Sequence, residues 1–165
     1  MIRISEIYSS LQGEGLLAGT PSVFLRTSGC NLRCWFCDTR FASWEPEGDQ
    51  RSLDDILASV DTFGVQHVVL TGGEPMIYNS LPELTRRIKQ RGGHITIETA
   101  GTIYQPVTCD LMFISPKLSS SAPPTSVGSW HDRHHARRER LDVVRKLMEY
   151  PYQLKFVIDS EADTV

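Results

Sequence analysis

The sequence predicts an α/β fold in which parallel strands are joined by crossover helices. Short apolar runs typical of buried strands alternate with amphipathic patterns typical of helices, and the segments between them are short. Polar and glycine-rich motifs directly follow several of the predicted strands. Because chemistry in such folds sits at the carboxyl ends of the strands, we expect these motifs to meet at one rim.

The first half of the chain contains three predicted strands and one helix. Apolar segments at residues 2–7, 23–25 and 67–70 predict the strands, and the first two are separated by a glycine-rich stretch. Ser52 can cap a helix, because its hydroxyl can accept a hydrogen bond from a free backbone N–H of the first turn. The apolar face of that helix consists of Leu53, Ile56, Leu57 and Val60.

The second half continues the alternation. A helix is predicted over about residues 81–91, where Gly92 and Gly93 end it, and another over about 137–149. Strands are predicted at residues 94–98, 111–114 and 153–158. Residues 119–129 are rich in Ser and Pro and predict a mobile loop. Residues 131–140 carry three histidines and many arginines, and this run predicts a solvated loop and helix start.

Length and composition exclude several classes of protein. The 165 residues form one domain's worth of chain, and the 40% hydrophobic content is too high for a disordered protein. A net charge of −3 creates no field that would favour nucleic acid or an anionic membrane, and no apolar run approaches a membrane span. The first eight residues lack the apolar core of a signal peptide, which predicts a cytoplasmic location with reduced thiols.

Three of the four cysteines lie in one short segment: Cys30, Cys34 and Cys37. Three thiolates can hold three irons of a 4Fe–4S cluster and leave the fourth iron open for chemistry. A structural zinc site is the alternative, with Cys109 or one of the five histidines as its fourth ligand. Cys109 precedes an apolar strand, and we interpret it as an ordinary buried cysteine.

The Cys-x3-Cys-x2-Cys spacing resembles that of the radical S-adenosylmethionine (SAM) superfamily. The turn Gly72-Gly73-Glu74-Pro75 matches that superfamily's GGEP motif, which follows a buried strand here too. The resemblance implies a partial, incomplete TIM-like barrel of parallel strands. It also implies a cluster whose open iron binds SAM, and a 5′-deoxyadenosyl radical formed when one electron cleaves SAM.

Further motifs narrow the resemblance to one family. The segments LQGEG at residues 11–15, CDT at 37–39, TGGEP at 71–75 and SPK at 115–117 together resemble the 7-carboxy-7-deazaguanine synthases of the queuosine tRNA modification pathway. This implies a lyase that contracts the ring of 6-carboxy-5,6,7,8-tetrahydropterin to 7-carboxy-7-deazaguanine with loss of ammonia. The resemblance also implies Mg²⁺ as a third cofactor, beside the cluster and SAM.

The resemblance assigns residues to each ligand. The family's substrate contacts correspond to Leu11, Gln12, Gly13, Arg26 and Thr71. Its SAM contacts correspond to Phe36, Cys37, Asp38, Gly73, Glu74, Ser115, Pro116 and Lys117. Its Mg²⁺ ligand corresponds to Thr39. The chemistry of Arg26 agrees, because a guanidinium fork suits a carboxylate and an unpaired charge inside an apolar strand would be costly. For Glu98 and Thr99 a ribose contact and a capping role stay open.

Two other functions remain as alternatives. One is a different small radical SAM enzyme, such as the activase of an anaerobic ribonucleotide reductase, and the more distant one is a zinc-stabilised binding module without catalysis. The family resemblance implies a homodimer and an electron donor such as flavodoxin or ferredoxin, with no nucleic acid or membrane partner. We expect residues 1–165 to form a single radical SAM domain that lacks the last strand–helix part of the family fold.

Overall fold

The computed structural model describes residues 1–164 and contains one seven-stranded sheet. Its strands are β1 (Ile2–Leu11), β2 (Pro21–Thr27), β3 (Asp49–Arg51), β4 (His67–Gly72), β5 (His94–Thr99), β6 (Leu111–Ile114) and β7 (Tyr152–Leu154). The helices are α1 (Arg40–Ser43), α2 (Leu53–Asp61), α3 (Leu81–Gln90), α4 (Trp130–Arg138) and α5 (Leu141–Leu147). The strand order across the sheet is β3-β1-β2-β4-β5-β6-β7.

Five consecutive strands of this order, from β2 to β7, run parallel, which confirms the predicted α/β class. The prediction of parallel strands is wrong for the N-terminal part, because β1 pairs antiparallel with both β2 and β3. Residues 12–20 connect β1 to β2, and a connection that short forms a hairpin. A parallel crossover needs a dozen or more residues.

The hydrophobic core lies between one face of the sheet and the helices. Leu25, Leu70, Ile97 and Met112 are fully buried on β2, β4, β5 and β6, and they pack in one cluster with apolar residues of α2, α3 and α5. Alternate residues of these strands belong to this cluster, as expected when side chains alternate between the two faces of a sheet. The residues between them therefore project from the opposite face.

The helix boundaries follow the predicted signals in α2 and α3. The Ser52 hydroxyl accepts a hydrogen bond of 3.1 Å from the Asp55 backbone N–H, as predicted for its cap. Helix α3 ends just before Gly92, whose φ of +79° allows the turn that follows. The single helix predicted over residues 137–149 is wrong. Two helices, α4 and α5, occupy residues 130–147, and Glu139 at the end of α4 is already extended.

The predictions for residues 119–140 are also wrong in part. Residues 119–129 contain two 3-10 turns rather than only a loop, and Ser121 is buried among them. The run 131–140 forms most of α4, and His134 within it is 0% exposed. A buried side chain with two hydrogen-bonded ring nitrogens replaces the predicted solvated histidine.

The last predicted strand is shorter than expected. Strand β7 covers only Tyr152–Leu154, although the backbone N–H of Lys155 still donates to Ile114 O at 2.9 Å. Beyond β7 the chain presents Phe156 and Ile158 to solvent. Among residues 1–164 we find no helix with the length and apolarity that crossing a bilayer requires.

Candidate active site

One row of side chains crosses the sheet on the face opposite the helices. Arg26 pairs with Thr71 between β2 and β4, and Glu98 pairs with Phe113 between β5 and β6. The Thr71 hydroxyl donates a hydrogen bond of 2.6 Å to Glu98 Oε2, which joins the two halves of the row. All four side chains line one cavity of about 450 Å³. The alternation of strand side chains therefore builds the floor of the site.

Arg26 lies in this row as a paired charge. Its Nε donates to Glu6 Oε1 at 2.6 Å and its Nη2 donates to the Tyr8 hydroxyl at 3.0 Å, both on β1. Burial disfavours the charged guanidinium, but the bonds to Glu6 and Tyr8 outweigh this effect and raise the pKa of Arg26. The antiparallel hairpin thus supplies the partners that a charge inside an apolar strand needs.

Three cysteine thiols line the same cavity. Cys30, Cys34 and Cys37 belong to the segment between β2 and α1, and all three are free thiols. Burial raises the pKa of Cys30 to about 12 and that of Cys34 to about 11. Cys37 Sγ lies 3.0 Å from the Ser43 hydroxyl on α1. The walls of the cavity therefore combine soft sulfur ligands with the polar row of the sheet.

The donor set of these thiols fits an iron–sulfur cluster. An iron–sulfur cube binds each thiolate to a different iron, so its ligands surround a space. Cys30, Cys34 and Cys37 all line one cavity of about 450 Å³. Three soft thiolates around one cavity therefore fit such a cluster.

The glycine turn after β4 packs directly against the cysteine segment. The Gly73 backbone N–H donates to Thr27 O at 3.1 Å, and the Glu74 N–H donates to Gly29 O at 2.9 Å. A Cβ on Gly73 would lie 2.1 Å from Gly29 O, so only glycine allows this approach. Gly72 and Gly73 both line the cavity. The turn thereby brings backbone to the cavity wall beside the thiols.

Glu74 is not brought to the cavity wall. Its side chain is fully buried and accepts hydrogen bonds from the Met76 N–H at 3.0 Å, the Thr99 hydroxyl at 2.8 Å and the Ala100 N–H at 2.8 Å. Burial raises the pKa of this carboxyl, and the three donors oppose the shift. Glu74 therefore ties the turn after β4 to the end of β5, and its predicted contact with SAM stays a prediction.

The remaining residues predicted to contact SAM or Mg²⁺ mostly line the cavity: Phe36, Asp38, Thr39, Ser115 and Lys117. Lys117 Nζ donates to the Ser115 hydroxyl at 2.7 Å, and burial lowers the pKa of Lys117. The nearby Cys34 and Glu74 side chains partly offset this effect of burial on Lys117. Lys117 lines the cavity, where its ammonium can meet an anionic ligand. Pro116, between these two residues, does not line the cavity.

The predicted substrate segment Leu11, Gln12 and Gly13 lies outside the cavity wall. Leu11 is 59% exposed, and the buried amide of Gln12 donates to the Ser22 hydroxyl at 2.9 Å. Gln12 therefore holds the base of the hairpin in this structure, and the substrate contacts of the three residues stay predictions.

Several residues of the cavity were missed at the level of sequence, including Glu14 and Lys155. These two form an ion pair with each other, and both line the cavity. Next to them the Leu16 backbone N–H donates to Gln153 Oε1 at 2.7 Å. For Lys155 the signal in the sequence is alternation, because it follows Gln153 by two residues and Gln153 pairs with Phe113 of β6. The other missed lining residues are Leu32, Ser43, Ala100, Phe113 and Val157.

Comparisons with known proteins identify the family of this chain. The family model described as the radical SAM superfamily matches residues 24–158. The chain is 50% identical over 167 residues to the 7-carboxy-7-deazaguanine synthase of Halobacterium salinarum, covering 97% of this chain and 65% of the relative. It is 49% identical over 160 residues to that of Rhodopirellula baltica, covering 95% of this chain and 62% of the relative.

A solved structure supports the same assignment. The crystal structure of QueE from Escherichia coli superposes with a TM-score of 0.64 at 26% identity, covering 99% of this chain and 86% of that one. The likeness supports the predicted partial barrel. The chain spans less than two thirds of the length of the two relatives above. The sequence matches and the fold show that the chain belongs to the radical SAM superfamily and, within it, to the 7-carboxy-7-deazaguanine synthase family.

Proposed function

We propose that this chain carries out the family's ring contraction, from 6-carboxy-5,6,7,8-tetrahydropterin to 7-carboxy-7-deazaguanine with loss of ammonia, in 7-deazapurine and queuosine biosynthesis. One observation supports this most strongly. A single cavity of about 450 Å³ is lined by three cysteines and by the half-buried Arg26. A ligand bound at Arg26 would therefore share one cavity with whatever the cysteines hold.

Members of the radical SAM superfamily hold a 4Fe–4S cluster and SAM, and the three thiols fit that cluster. When bound, the cluster and SAM would supply the radical chemistry that begins with loss of a hydrogen atom from the substrate carbon bearing the carboxylate. The chain's own tasks are to bind both ligands, orient the substrate and exclude water. Cys30, Cys34 and Cys37 are the proposed cluster ligands.

The row of side chains on the sheet, which contains Arg26, Thr71, Glu98 and Phe113, is the proposed substrate half of the cavity. Arg26 binds the pterin carboxylate through its guanidinium, and Glu6 and Tyr8 hold that guanidinium in place. The Thr71 hydroxyl hydrogen is committed to Glu98 Oε2, so Thr71 Oγ1 can only accept a hydrogen bond from a ligand. A pterin ring offers N–H donors for that acceptor. Leu11, Gln12 and Gly13 complete the substrate site in this proposal.

The cysteine side of the cavity is the proposed SAM half. Lys117 lies within the cavity as a buried cation and would pair with the SAM carboxylate. Backbone at Gly73, next to the fully buried Glu74, would accept from the SAM ammonium. Phe36, Cys37, Asp38, Ser115 and Pro116 complete this half in the proposal.

Mg²⁺ is the third proposed ligand. Thr39 and Asp38 both line the cavity and offer the hard oxygen atoms that this ion prefers. Thr39 Oγ1 lies 3.8 Å from Cys37 Sγ, so an ion at Thr39 would lie close to the proposed cluster. Water and substrate oxygens would complete its octahedron.

A radical SAM activase is the alternative enzyme. The position of Arg26 in the cavity argues against it. An activase abstracts hydrogen from a glycine of a partner protein and needs no buried arginine for a small anion. The zinc-stabilised module is opposed by the match of residues 24–158 to the radical SAM family model. We further propose a reduced flavodoxin or ferredoxin as the electron donor, a homodimer as the assembly and the reducing cytoplasm as the compartment.

Anaerobic turnover tests the proposed reaction. The chain with its cluster reconstituted is incubated with SAM, a reductant and the carboxypterin, and product, ammonia and iron are measured. We expect 7-carboxy-7-deazaguanine and ammonia in equal amounts. A fully loaded cluster that cleaves SAM but yields neither product refutes the assigned substrate. A colourless protein with one tightly bound zinc refutes the cluster.

The matched control keeps the fold and changes only the arginine. Arg26→Lys retains the positive charge but loses the planar fork that meets a carboxylate with two parallel bonds. If the proposal is right, this variant binds its cluster normally and loses turnover at low substrate concentration. Normal turnover at low substrate would show that Arg26 does not bind the substrate.

A further inference from the structure

Helix α4 lies against the outside of the cysteine segment and contacts it with one face. Trp130, His134, Arg137 and Arg138 are spaced so that they share that face. The Trp130 ring lies 4.0 Å from the Arg33 guanidinium carbon, and Arg137 Nη1 donates to Asn31 O at 3.3 Å. Both contacts reach the residues between Cys30 and Cys34. The helix therefore braces the segment that carries the first two thiols.

His134 is the buried centre of this contact. The Arg33 backbone N–H donates to His134 Nδ1 at 3.1 Å, and His134 Nε2 lies 2.9 Å from the Ser121 hydroxyl. Arg33 immediately precedes Cys34 in the chain. The side chain that contacts it is 0% exposed, so water cannot replace these bonds without opening the helix.

The hydrogen-bond partners define one tautomer of His134. A backbone N–H can only donate, so Nδ1 must be unprotonated. The Ser121 hydroxyl donates its hydrogen to Leu118 O at 2.6 Å, so it accepts from the other ring nitrogen. Nε2 therefore carries the proton and donates to Ser121 Oγ. The chain of bonds runs from Arg33 through His134 and Ser121 to Leu118, which follows Lys117.

The same chain of bonds connects the cysteine segment to the residues that follow β6. Trp35, directly after Cys34, also reaches this turn, with its backbone N–H donating to Ser121 O at 3.2 Å and its Nε1 to Ser120 O at 2.9 Å. Arg138 Nη1 donates to Lys117 O at 3.3 Å. A substitution at His134 would therefore change the positions of both Cys34 and Lys117.

We propose that His134 is a positioning residue that holds the segment between Cys30 and Cys34, and with it the second thiol, in the conformation that binds the cluster. The proposal rests on the assignment of these cysteines as cluster ligands. His134 acts through the Arg33 backbone N–H. Removing its acceptor would leave that N–H without a partner in a partly buried place.

Burial is consistent with the required neutral ring, because it lowers the pKa of His134 to about 4. The ring is therefore neutral at pH 7, and its hydrogen-bond partners decide that Nδ1 is the unprotonated nitrogen.

Two amide variants separate the two bonds of the ring. His134→Asn places an amide oxygen near the position of Nδ1 and keeps an acceptor for the Arg33 N–H. His134→Gln reaches the position of Nε2 and loses that acceptor. His135→Asn, at an exposed position of the same helix, is the matched control. Each protein is measured in two ways: by hydrogen exchange of the Arg33 amide without the cluster, and by iron release to a chelator with it.

We expect His134→Gln to speed Arg33 amide exchange and iron release by about tenfold, the size of effect that one lost buried hydrogen bond produces. His134→Asn should recover most of both properties, and His135→Asn should match the parent chain. Equal defects in the Asn and Gln variants would show a general packing role and overturn the proposal. So would wild-type iron retention in His134→Gln.

A measurement on the unmutated chain covers the case in which variants misfold. The ¹⁵N shifts of the His134 ring report which nitrogen carries the proton, and the proposal requires Nε2–H with an unprotonated Nδ1. A ring with Nδ1–H overturns it. None of these readouts needs the pterin, so a failure of the proposed ring contraction is distinguishable from a failure of this inference.

Discussion

Arg26 on β2 and Glu6 on β1 form an ion pair of 2.6 Å at the edge of the cavity that also holds the three cysteines. Tyr8 binds a second nitrogen of the same guanidinium, and among residues 1–164 no acceptor is bonded to Nη1. The side chain of Arg26 is 15% exposed, so its charge is largely removed from water but not yet saturated with partners. This arrangement favours an anionic ligand at Nη1.

Arg26→Lys should raise KM for the carboxypterin by about 10- to 100-fold, since a lysine meets a carboxylate at one point and loses the fork. Steady-state kinetics on the reconstituted chain measures this change. Glu6→Gln is the matched comparison and should have a smaller effect, because Glu6 only orients the guanidinium. An unchanged KM in Arg26→Lys would contradict a role of Arg26 in substrate binding.

Glu74→Gln should lower the free energy of unfolding by about 1–3 kcal/mol, because the amide replaces one acceptor oxygen with a donor that faces N–H and O–H donors. Urea unfolding of the chain without its cluster measures this. Glu83→Gln is the control, because Glu83 is exposed and pairs with Arg86 on the surface of α3; its change should stay within about 0.5 kcal/mol. Equal effects in both variants would contradict a bracing role for Glu74.

The sequence alone predicts much of this site because its decisive patterns are local. The spacing of Cys30, Cys34 and Cys37 lies within one segment, and the alternation along β2 and β4 is enough to place Arg26 and Thr71 on one face. The residue types also indicate which ligands they bind, because thiolates are soft metal ligands and a guanidinium suits a carboxylate.

The features that the sequence does not predict depend on contacts between distant residues. His134 lies 101 residues from Arg33, and its burial follows from how α4 docks on the cysteine segment. Gln153 lies 137 residues from Leu16, whose N–H it accepts. A charged helix such as α4 has no apolar pattern that would indicate its buried residue.

Gly73→Ala should destabilise the fold strongly, since the new Cβ would lie 2.1 Å from Gly29 O and 2.6 Å from Ala42 O. Both atoms are backbone, so relief requires moving the cysteine segment or α1. Thermal unfolding measures the loss. Gly13→Ala is the control for stability, because nothing lies within 4 Å of its added Cβ. A Gly73→Ala protein with an unchanged midpoint would contradict the packing of the turn against the cysteine segment.

Acid should destabilise the chain partly through His134. Burial lowers the folded-state pKa to about 4 from an ordinary value of 6.5, helped by positive charge on His131, His135 and Arg138 of α4 and on Lys117. Between these values the unfolded chain binds more protons, so the stability present at neutral pH falls as pH drops from about 6.5 to about 4.

Urea unfolding at several pH values tests this prediction. The chain carrying His134→Asn lacks the titrating ring and should show a shallower loss of stability over the same range. His94, whose pKa burial also lowers, contributes equally to both proteins and cancels in the comparison. Parallel curves for the parent and the variant would contradict the assignment of this loss to His134.

Gln153→Ala should loosen the segment after β1 because it removes the acceptor for the Leu16 N–H. Hydrogen exchange of the Leu16 amide should speed up by about tenfold, while exchange in the core strand β4 stays unchanged. Faster exchange in β4 as well would show a global loss of stability instead of a local one.

The most direct test of whether one cavity holds both the substrate and SAM is the transfer of deuterium from the substrate to the cofactor. The carboxypterin is labelled with deuterium at the carbon bearing its carboxylate, and 5′-deoxyadenosine from the anaerobic reaction is analysed by mass spectrometry. We expect 5′-deoxyadenosine that carries the label, formed together with 7-carboxy-7-deazaguanine. Unlabelled 5′-deoxyadenosine without the deazaguanine, from a chain with a full cluster, would contradict a shared cavity in which Arg26 presents the substrate to the cysteine wall.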